Sequence, residues 1–235
     1  MNIAILGFGK MGKGIASLID KKHSIKFIID PGKTENYSGA PVFKEIQDAP
    51  KELINVIDVF IEFTEPKASK QNLLSIMKAK KGAKIISGTT GWNVNDIDKE
   101  VNNAEALLLH SANFSFGVNV LASALNDMAR SLSKGSDFEA SMVEYHHKNK
   151  KDAPSGTAKM LASIMEYNDL KCPIVSVRTG SYPGTHIISF DSEHETIEIK
   201  HEARDRKVFC SGALIAAEWI SKQDRPGIYK FSDII

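Results

Sequence analysis

MNIAILGFGKMGKGIASLIDKKHSIKFIID, residues 1–30, decides the fold. Asn2–Leu6 is a short apolar run bounded by glycine and reads as a buried strand. Gly7, Gly9 and Gly12 come after it as G-x-G-x-x-G, and Met11–Lys21 carries helical periodicity. A second strand, Ile25–Ile29, ends on Asp30, eighteen residues after Gly12. Each part has a physical reason. Gly7 permits the tight turn, Gly9 lets a pyrophosphate reach the backbone, and Gly12 lets the helix lie close against the strand. The helix start turns free N–H groups toward phosphates, and an acid ending the second strand accepts from adenosine ribose hydroxyls. The stretch predicts a strand–helix–strand unit that binds a dinucleotide.

Outward from this unit the rhythm continues. Val59–Phe63, Ala83–Ser87 and Ala106–His110 are further compact strand candidates, with helical segments at Lys67–Lys80 and Val94–Asn103 between them. Such alternation predicts an α/β domain with a Rossmann-type parallel sheet. Ligands of an open parallel sheet lie outside the carboxyl ends of its strands. Gly88-Thr89-Thr90-Gly91 and Ser111-Ala112-Asn113-Phe114 are therefore candidates to face a nicotinamide, although each taken singly is an ordinary turn. After Asn113 the pattern changes. A long helix is expected over Phe116–Ser133, ending near Gly135, then a strand Glu139–Tyr145 and a helix Gly156–Tyr167. Strands Ile174–Arg178, His186–Phe190 and Thr196–His201 come next, the last two alternating like an antiparallel sheet with one wet face. Gly212–Ser221 returns to helical periodicity and is expected to pack on the first domain. The expectation is a dinucleotide-binding domain at 1–114, completed by 207–235. A smaller α+β domain with a mixed or antiparallel sheet, at 115–206, would bind substrate and carry oligomerisation.

Thirty basic against 29 acidic residues leave a net charge of +1, which gives no reason to expect a nucleic-acid partner. Cys172 and Cys210 form no CxxC pair and read as reduced thiols. The amino terminus lacks the basic start of a signal peptide, and no apolar run reaches the roughly 20 residues that span a bilayer. A cytoplasmic protein without a membrane partner is expected. His194-Glu195 and His201-Glu202 hint at metal ligands, but they lie in alternating strand sequence and read as a solvated face, so no metal is expected.

The second constellation runs Glu144-Tyr-His146-His147-Lys-Asn-Lys150-Lys-Asp152-Ala-Pro154-Ser155-Gly156-Thr157-Ala158. It joins a cationic, titratable cluster to a helix start. Pro154 discourages helix before it, and Ser155 or Thr157 can cap the helix beyond. Donors from Ser155 to Thr157 suit a carboxylate or phosphate, Lys150 supplies charge, and the two histidines exchange protons near neutrality.

That string resembles the 4-hydroxy-tetrahydrodipicolinate reductase (dihydrodipicolinate reductase) family, whose E-x-H-H-x-x-K-x-D-x-P-S-G-T-A motif is matched from Glu144 to Ala158. The glycine motif with Met11 and Gly12, the Gly88–Gly91 turn and Asn113-Phe114-Ser115 also match in order, so the resemblance spans nearly the whole chain. It implies a homotetramer that reduces a small cyclic dicarboxylate to tetrahydrodipicolinate in the lysine and diaminopimelate route, using NADH or NADPH. By motif, His146 and Lys150 become the catalytic pair, with the proton donor left open between them. His147, Ser155, Gly156, Thr157 and Arg206 become substrate contacts. Gly7, Phe8, Gly9, Lys10, Met11, Gly12, Asp30, Gly88, Thr89, Thr90, Ser111, Ala112, Asn113 and Phe114 become the cofactor site. This chain departs from the pattern in a shorter glycine loop, in fewer residues between Tyr182 and Thr196, and in lacking the family's common arginine within Gly212–Trp219. Asp30 is followed by Pro31 rather than a basic residue, which argues for NADH, while Lys10 and Lys33 stand near enough in sequence to soften that preference. Another Rossmann dehydrogenase or a dinucleotide sensor would explain the glycines but not the string from His146 to Thr157.

Overall fold

The computed structural model describes residues 1–33, 35–134 and 137–235. The chain forms two compact units, Met1–Phe114 with Phe209–Ile235, and Ser115–Val208.

The first unit is built on a seven-stranded sheet: β1 (Asn2–Leu6), β2 (Ser24–Ile29), β3 (Val42–Phe43), β4 (Val59–Glu62), β5 (Lys84–Ser87), β6 (Leu107–His110) and β11 (Gly227–Tyr229). Their order is β11-β6-β5-β4-β1-β2-β3, and every pairing is parallel. The chain steps from β1 outward to β2 and β3, then crosses back to β4 on the other side of β1. That reversal opens a crevice at the strand ends. Ile3 and Ile5 point to one core, with Ile15 of α1 (Lys10–Leu18) and Ala213, Ala217 and Ile220 of α7 (Lys207–Ser221). Ala4 and Leu6 point to the other, with Leu73 and Ile76 of α3 (Pro66–Ala79) and Val101 of α4 (Asp98–Asn103). Burial on both faces explains why these strands are continuously apolar rather than alternating. α2 (Lys51–Asn55) sits ahead of β4.

Several boundaries differ from the sequence expectation for local reasons. α1 stops at Leu18, three residues early, because the Asp20 side chain accepts from Lys22 N (2.9 Å) and closes a turn of its own. α7 begins at Lys207 rather than Gly212, since Asp205 Oδ1 accepts from Lys207 N (2.7 Å) ahead of the apolar run. Residues Val94–Asn103 divide into a 3-10 turn and α4, with the Asn93 side chain accepting at the start. β3 and β11 are edge strands of two and three residues, too short to leave a periodicity.

The second unit has a four-stranded sheet from β7 (Glu139–His146), β8 (Ile174–Arg178), β9 (Thr185–Asp191) and β10 (Thr196–Glu202), in the order β10-β9-β7-β8. β7 pairs antiparallel with β9 and parallel with β8, so the sheet is mixed. The parallel pair needs a crossover, which α6 (Gly156–Tyr167) supplies. α5 (Phe116–Leu132) and α6 lay Leu121, Leu125, Leu161 and Met165 against Ala140, Met142, Ile188 and Phe190 on one face. α5 ends at Leu132; Gly135, its expected limit, lies outside the described residues.

Candidate functional site

A cleft of about 1020 Å³ opens at the carboxyl ends of β1, β2, β4 and β5. Gly7 turns the chain out of β1 at φ +88°, and a Cβ there would meet the Phe63 carbonyl oxygen at 2.1 Å. A Cβ on Gly12 would lie 2.2 Å from the Gly7 carbonyl oxygen, so α1 can approach β1 only without one. A Cβ on Gly9 would meet nothing within 4 Å, and Gly9 supplies no side-chain cap to the first turn of α1. The uncapped amides of that turn, with Gly9, Lys10 and Met11 on the cleft wall, fit a pyrophosphate. Asp30, directly after β2, lines the same cleft. Its Oδ2 accepts from Phe8 N (2.8 Å) and its Oδ1 from Gly32 N (2.9 Å), which aims the carboxylate and leaves lone pairs for ribose hydroxyls.

Other predicted cofactor residues divide. Gly88, Thr89 and Thr90 line the cleft opposite Asp30. Phe8 is buried, its ring edge-on to Tyr37 at 4.9 Å, so only its backbone serves the glycine loop. Ser111, Ala112, Asn113 and Phe114 do not line the cleft. They form a turn closed by Ser111 Oγ donating to the Asn113 carbonyl (2.8 Å), with the Phe114 ring packed between Phe63 and Phe231. Lys33 is not on the cleft wall either, whereas Lys44, just past β3, is. β3 is too short to be seen in the sequence, so nothing there marks Lys44 as a neighbour of Asp30.

The second unit gathers the other constellation on one buried carboxylate. Along β7 the inward positions read Ala140, Met142, Glu144, His146, so the apolar face turns polar at one end. Cross-strand register extends this end: Glu144 stands opposite Ser176 and His186, His146 opposite Arg178, and His186 opposite His201. Glu144 Oε1 accepts from Arg178 (2.7 Å), Ser176 Oγ (2.7 Å) and the Ser155 amide (2.9 Å). Its Oε2 lies 3.2 Å from His146 Nδ1 and 3.8 Å from His186 Nε2. Burial opposes ionisation, but hydrogen bonds from Ser155, Arg178 and Ser176 outweigh it and hold the carboxyl near pKa 2. Burial drives His146 below the ordinary imidazole value against the pull of Glu144, and drives His186 down to about 4. Both rings are therefore mostly neutral near pH 7.

Ser155 spends its donors and acceptor inside the protein. Its amide goes to Glu144, and its hydroxyl caps Ala158 N (3.2 Å) and meets His186 Nε2 at 3.3 Å. It thereby fixes the α6 start on which Gly156 and Thr157 sit. Lys150 lies in the loop after β7, Nζ 2.8 Å from Asp152, and His147 donates its amide to the Tyr182 carbonyl (2.9 Å). Arg206 is exposed in the turn before α7, and among the described residues no hydrogen bond or ion pair joins it to the cluster. Arg178 and His186 escape a reading of the sequence because their neighbours are remote in it. The inward period of β8 and β9 is their only signal. His201 corrects the wet-face reading: it shares the inward period with Ile197 and Ile199, 6.5 Å from the His186 ring, whereas His194 and Glu195 are exposed. Glu144, His146 and His186 offer ligand atoms within 4.8 Å of one another, but the Glu144 carboxylate already neutralises the Arg178 guanidinium, a fixed cation that disfavours a second.

A glycine-loop cleft over a doubly wound parallel sheet and a second unit with a buried imidazole–carboxylate cluster define a nicotinamide-dependent oxidoreductase. Comparison with known proteins narrows the class. Residues 1–114 match the family model for the dihydrodipicolinate reductase N-terminus, and residues 117–235 that for its C-terminus. 4-Hydroxy-tetrahydrodipicolinate reductase of Christiangramia forsetii is 33% identical, covering 100% of this chain and 98% of its own. The enzyme of the same name from Methanospirillum hungatei is 31% identical with the same coverage, 100% and 98%. The dipicolinate-bound dihydrodipicolinate reductase of Paenisporosarcina sp. TG-14 shares the fold at TM-score 0.81 and 20% identity, over 100% of this chain and 99% of that one. The chain belongs to the dihydrodipicolinate reductase family, oxidoreductases of the lysine and diaminopimelate route.

Proposed function

We propose that this chain reduces 4-hydroxy-tetrahydrodipicolinate to tetrahydrodipicolinate with NAD(P)H, preferring NADH. The observation that carries the reading is the Glu144 carboxylate, which lies 3.2 Å from His146 Nδ1 through one oxygen and accepts from the Ser155 amide through the other. One anchor thus ties an imidazole to the start of α6, whose Gly156 and Thr157 donors suit a substrate carboxylate. His147, Lys150 and Arg206 are proposed for the remaining anionic contacts. Gly7 to Gly12 and Asp30 hold the pyrophosphate and adenosine ribose on this reading, with Gly88 to Thr90 and the Ser111–Phe114 turn on the nicotinamide side. The dinucleotide, when bound, supplies the hydride. The net change takes in a hydride and a proton and releases water. His146 is mostly neutral near pH 7, so the Lys150 ammonium is the better proton donor there, with His146 exchanging protons beside it.

Assembly as a homotetramer belongs to the same reading. The open face of the second sheet exposes Val175 and carries Val143, Val177 and Ile187 beside it, an apolar surface suited to another copy. Mass in solution should correspond to four chains and fall for Val175→Asp; a monomeric wild type sinks the idea. A cytoplasmic setting suits the two free, buried cysteines. No described helix is long and apolar enough to cross a membrane.

The activity is tested by following NADH absorbance while the cyclic substrate is generated in the cuvette. Oxidation should require that substrate. Equal oxidation with an amino-acid semialdehyde alone would favour a different dehydrogenase, and no oxidation at all would leave a binding protein.

A further inference from the structure

Glu62, the last residue of β4, is fully buried with no cation in ion-pair range among the described residues. It stands in register between Leu6 of β1 and Ser87 of β5, at the strand ends where the cleft opens. A buried carboxylate without a counter-ion is costly unless donors surround it. Five do. Oε1 accepts from Thr64 N (3.1 Å), Thr64 Oγ1 and Thr89 Oγ1 (2.8 Å). Oε2 accepts from Ser69 Oγ (3.0 Å) and Ser87 Oγ (2.7 Å). These donors come from three segments: the loop after β4, the first turn of α3, and the end of β5 with its following turn.

The arrangement fixes a polarity as well as a shape. A hydroxyl has one proton and two lone pairs. Thr64 and Thr89 give their protons to Glu62, so only lone pairs remain on those two oxygens. One lone pair of each is used within the protein, by Asn72 Nδ2 at 3.2 Å on Thr64 Oγ1 and by Thr64 N at 2.8 Å on Thr89 Oγ1. Both residues line the cleft on the side away from Asp30. We propose that Glu62 is a positioning residue for the nicotinamide end. By taking the hydroxyl protons of Thr64 and Thr89, it presents their oxygens as acceptors for the carboxamide NH₂ of the dinucleotide. The inference rests on the dinucleotide reading of the cleft and adds to it the residue that sets what the far end recognises.

The test is equilibrium binding of three probes: NADH, ADP-ribose, and the acetylpyridine analogue of NADH, in which a methyl ketone replaces the carboxamide. Wild type should bind NADH about fivefold or more tighter than the analogue, the worth of one neutral hydrogen bond. In Glu62→Gln one carboxylate oxygen becomes an amide nitrogen that cannot accept, and with that nitrogen in the place of Oε1 the Thr64 and Thr89 hydroxyl protons are released. NADH should weaken about fivefold toward the analogue, with ADP-ribose binding unchanged. Thr89→Val removes one acceptor and leaves the carboxylate with its other donors, and should produce the same convergence if Glu62→Gln does not fold. Equal weakening of ADP-ribose and NADH would make Glu62 a scaffold residue only and overturn the proposal. So would wild-type discrimination between NADH and the analogue that survives both substitutions. A wild type that binds neither NADH nor ADP-ribose would instead overturn the dinucleotide reading beneath it.

Discussion

Lys150 sits four residues beyond His146 with its ammonium 2.8 Å from Asp152, whose carboxyl it holds below the ordinary range through their hydrogen bond. An ammonium paired this way leaves its remaining N–H bonds available to a second anion. Lys150→Ala should lower kcat and kcat/KM together by roughly a hundredfold, the scale of a lost general acid. NADH affinity should not move, because every glycine-loop contact lies in the other unit. Steady-state kinetics with a separate NADH titration checks this, and a parallel loss of NADH affinity would remove Lys150 from the chemistry.

At the scale of elements, the proposed cofactor preference rests on β2 and β3. Asp30 follows β2 directly, and pairing of Ile29 with Phe43 brings Lys44 to the same cleft. Asp30 meets a 2′-phosphate as a like charge, whereas Lys44 and Lys10 meet it as opposite charges. The expected balance is preference rather than exclusion. Wild type should favour NADH in kcat/KM, and Asp30→Ala should shrink or reverse the ratio. Because Asp30→Ala also deprives Phe8 N of its acceptor, both cofactors will weaken and only the ratio is informative. Lys44→Ala should widen the preference about tenfold by removing a charged contact to the phosphate. A wild type that favours NADPH severalfold would show the lysines dominating, and an unchanged ratio in Lys44→Ala would return the role to Lys10.

For the whole molecule, the polar end of the second sheet sets the response to acid. His186 is depressed from 6.5 to about 4 and Glu144 from 4.5 to about 2. Both groups bind protons more readily in the unfolded chain. Their stabilisation is complete above the unfolded values and drains as pH falls, first through the histidine window and then through the carboxylate window. His146 and His201 are lowered too and add in the same direction. The loss through the histidine window should be on the order of 3 kcal/mol for His186 alone. Urea unfolding at about pH 7 and about pH 4.5 measures it. His186→Gln should flatten that part of the profile. A wild type equally stable at both values would mean that these rings are not buried neutral.

The first thirty residues were enough to specify the opening strand–helix–strand unit, its glycine loop and the acid just after β2, because those features depend on neighbours close in sequence. A turn, a helix start and a strand end are local. The string from Glu144 to Ala158 was legible for the same reason, since β7, its loop and the start of α6 are consecutive. What Glu144, Arg178, His186 and His201 do together was decided only in three dimensions. They come from four strands, and strand register alone makes them neighbours. Lys44 likewise reaches the cleft that Asp30 lines through a two-residue pairing that leaves no pattern to read, and Glu62 meets Ser87 and Thr89 only because β4 and β5 are adjacent. Side-chain period tells which residues share a face of one strand. Which faces meet across strands is settled by the packing of the whole sheet.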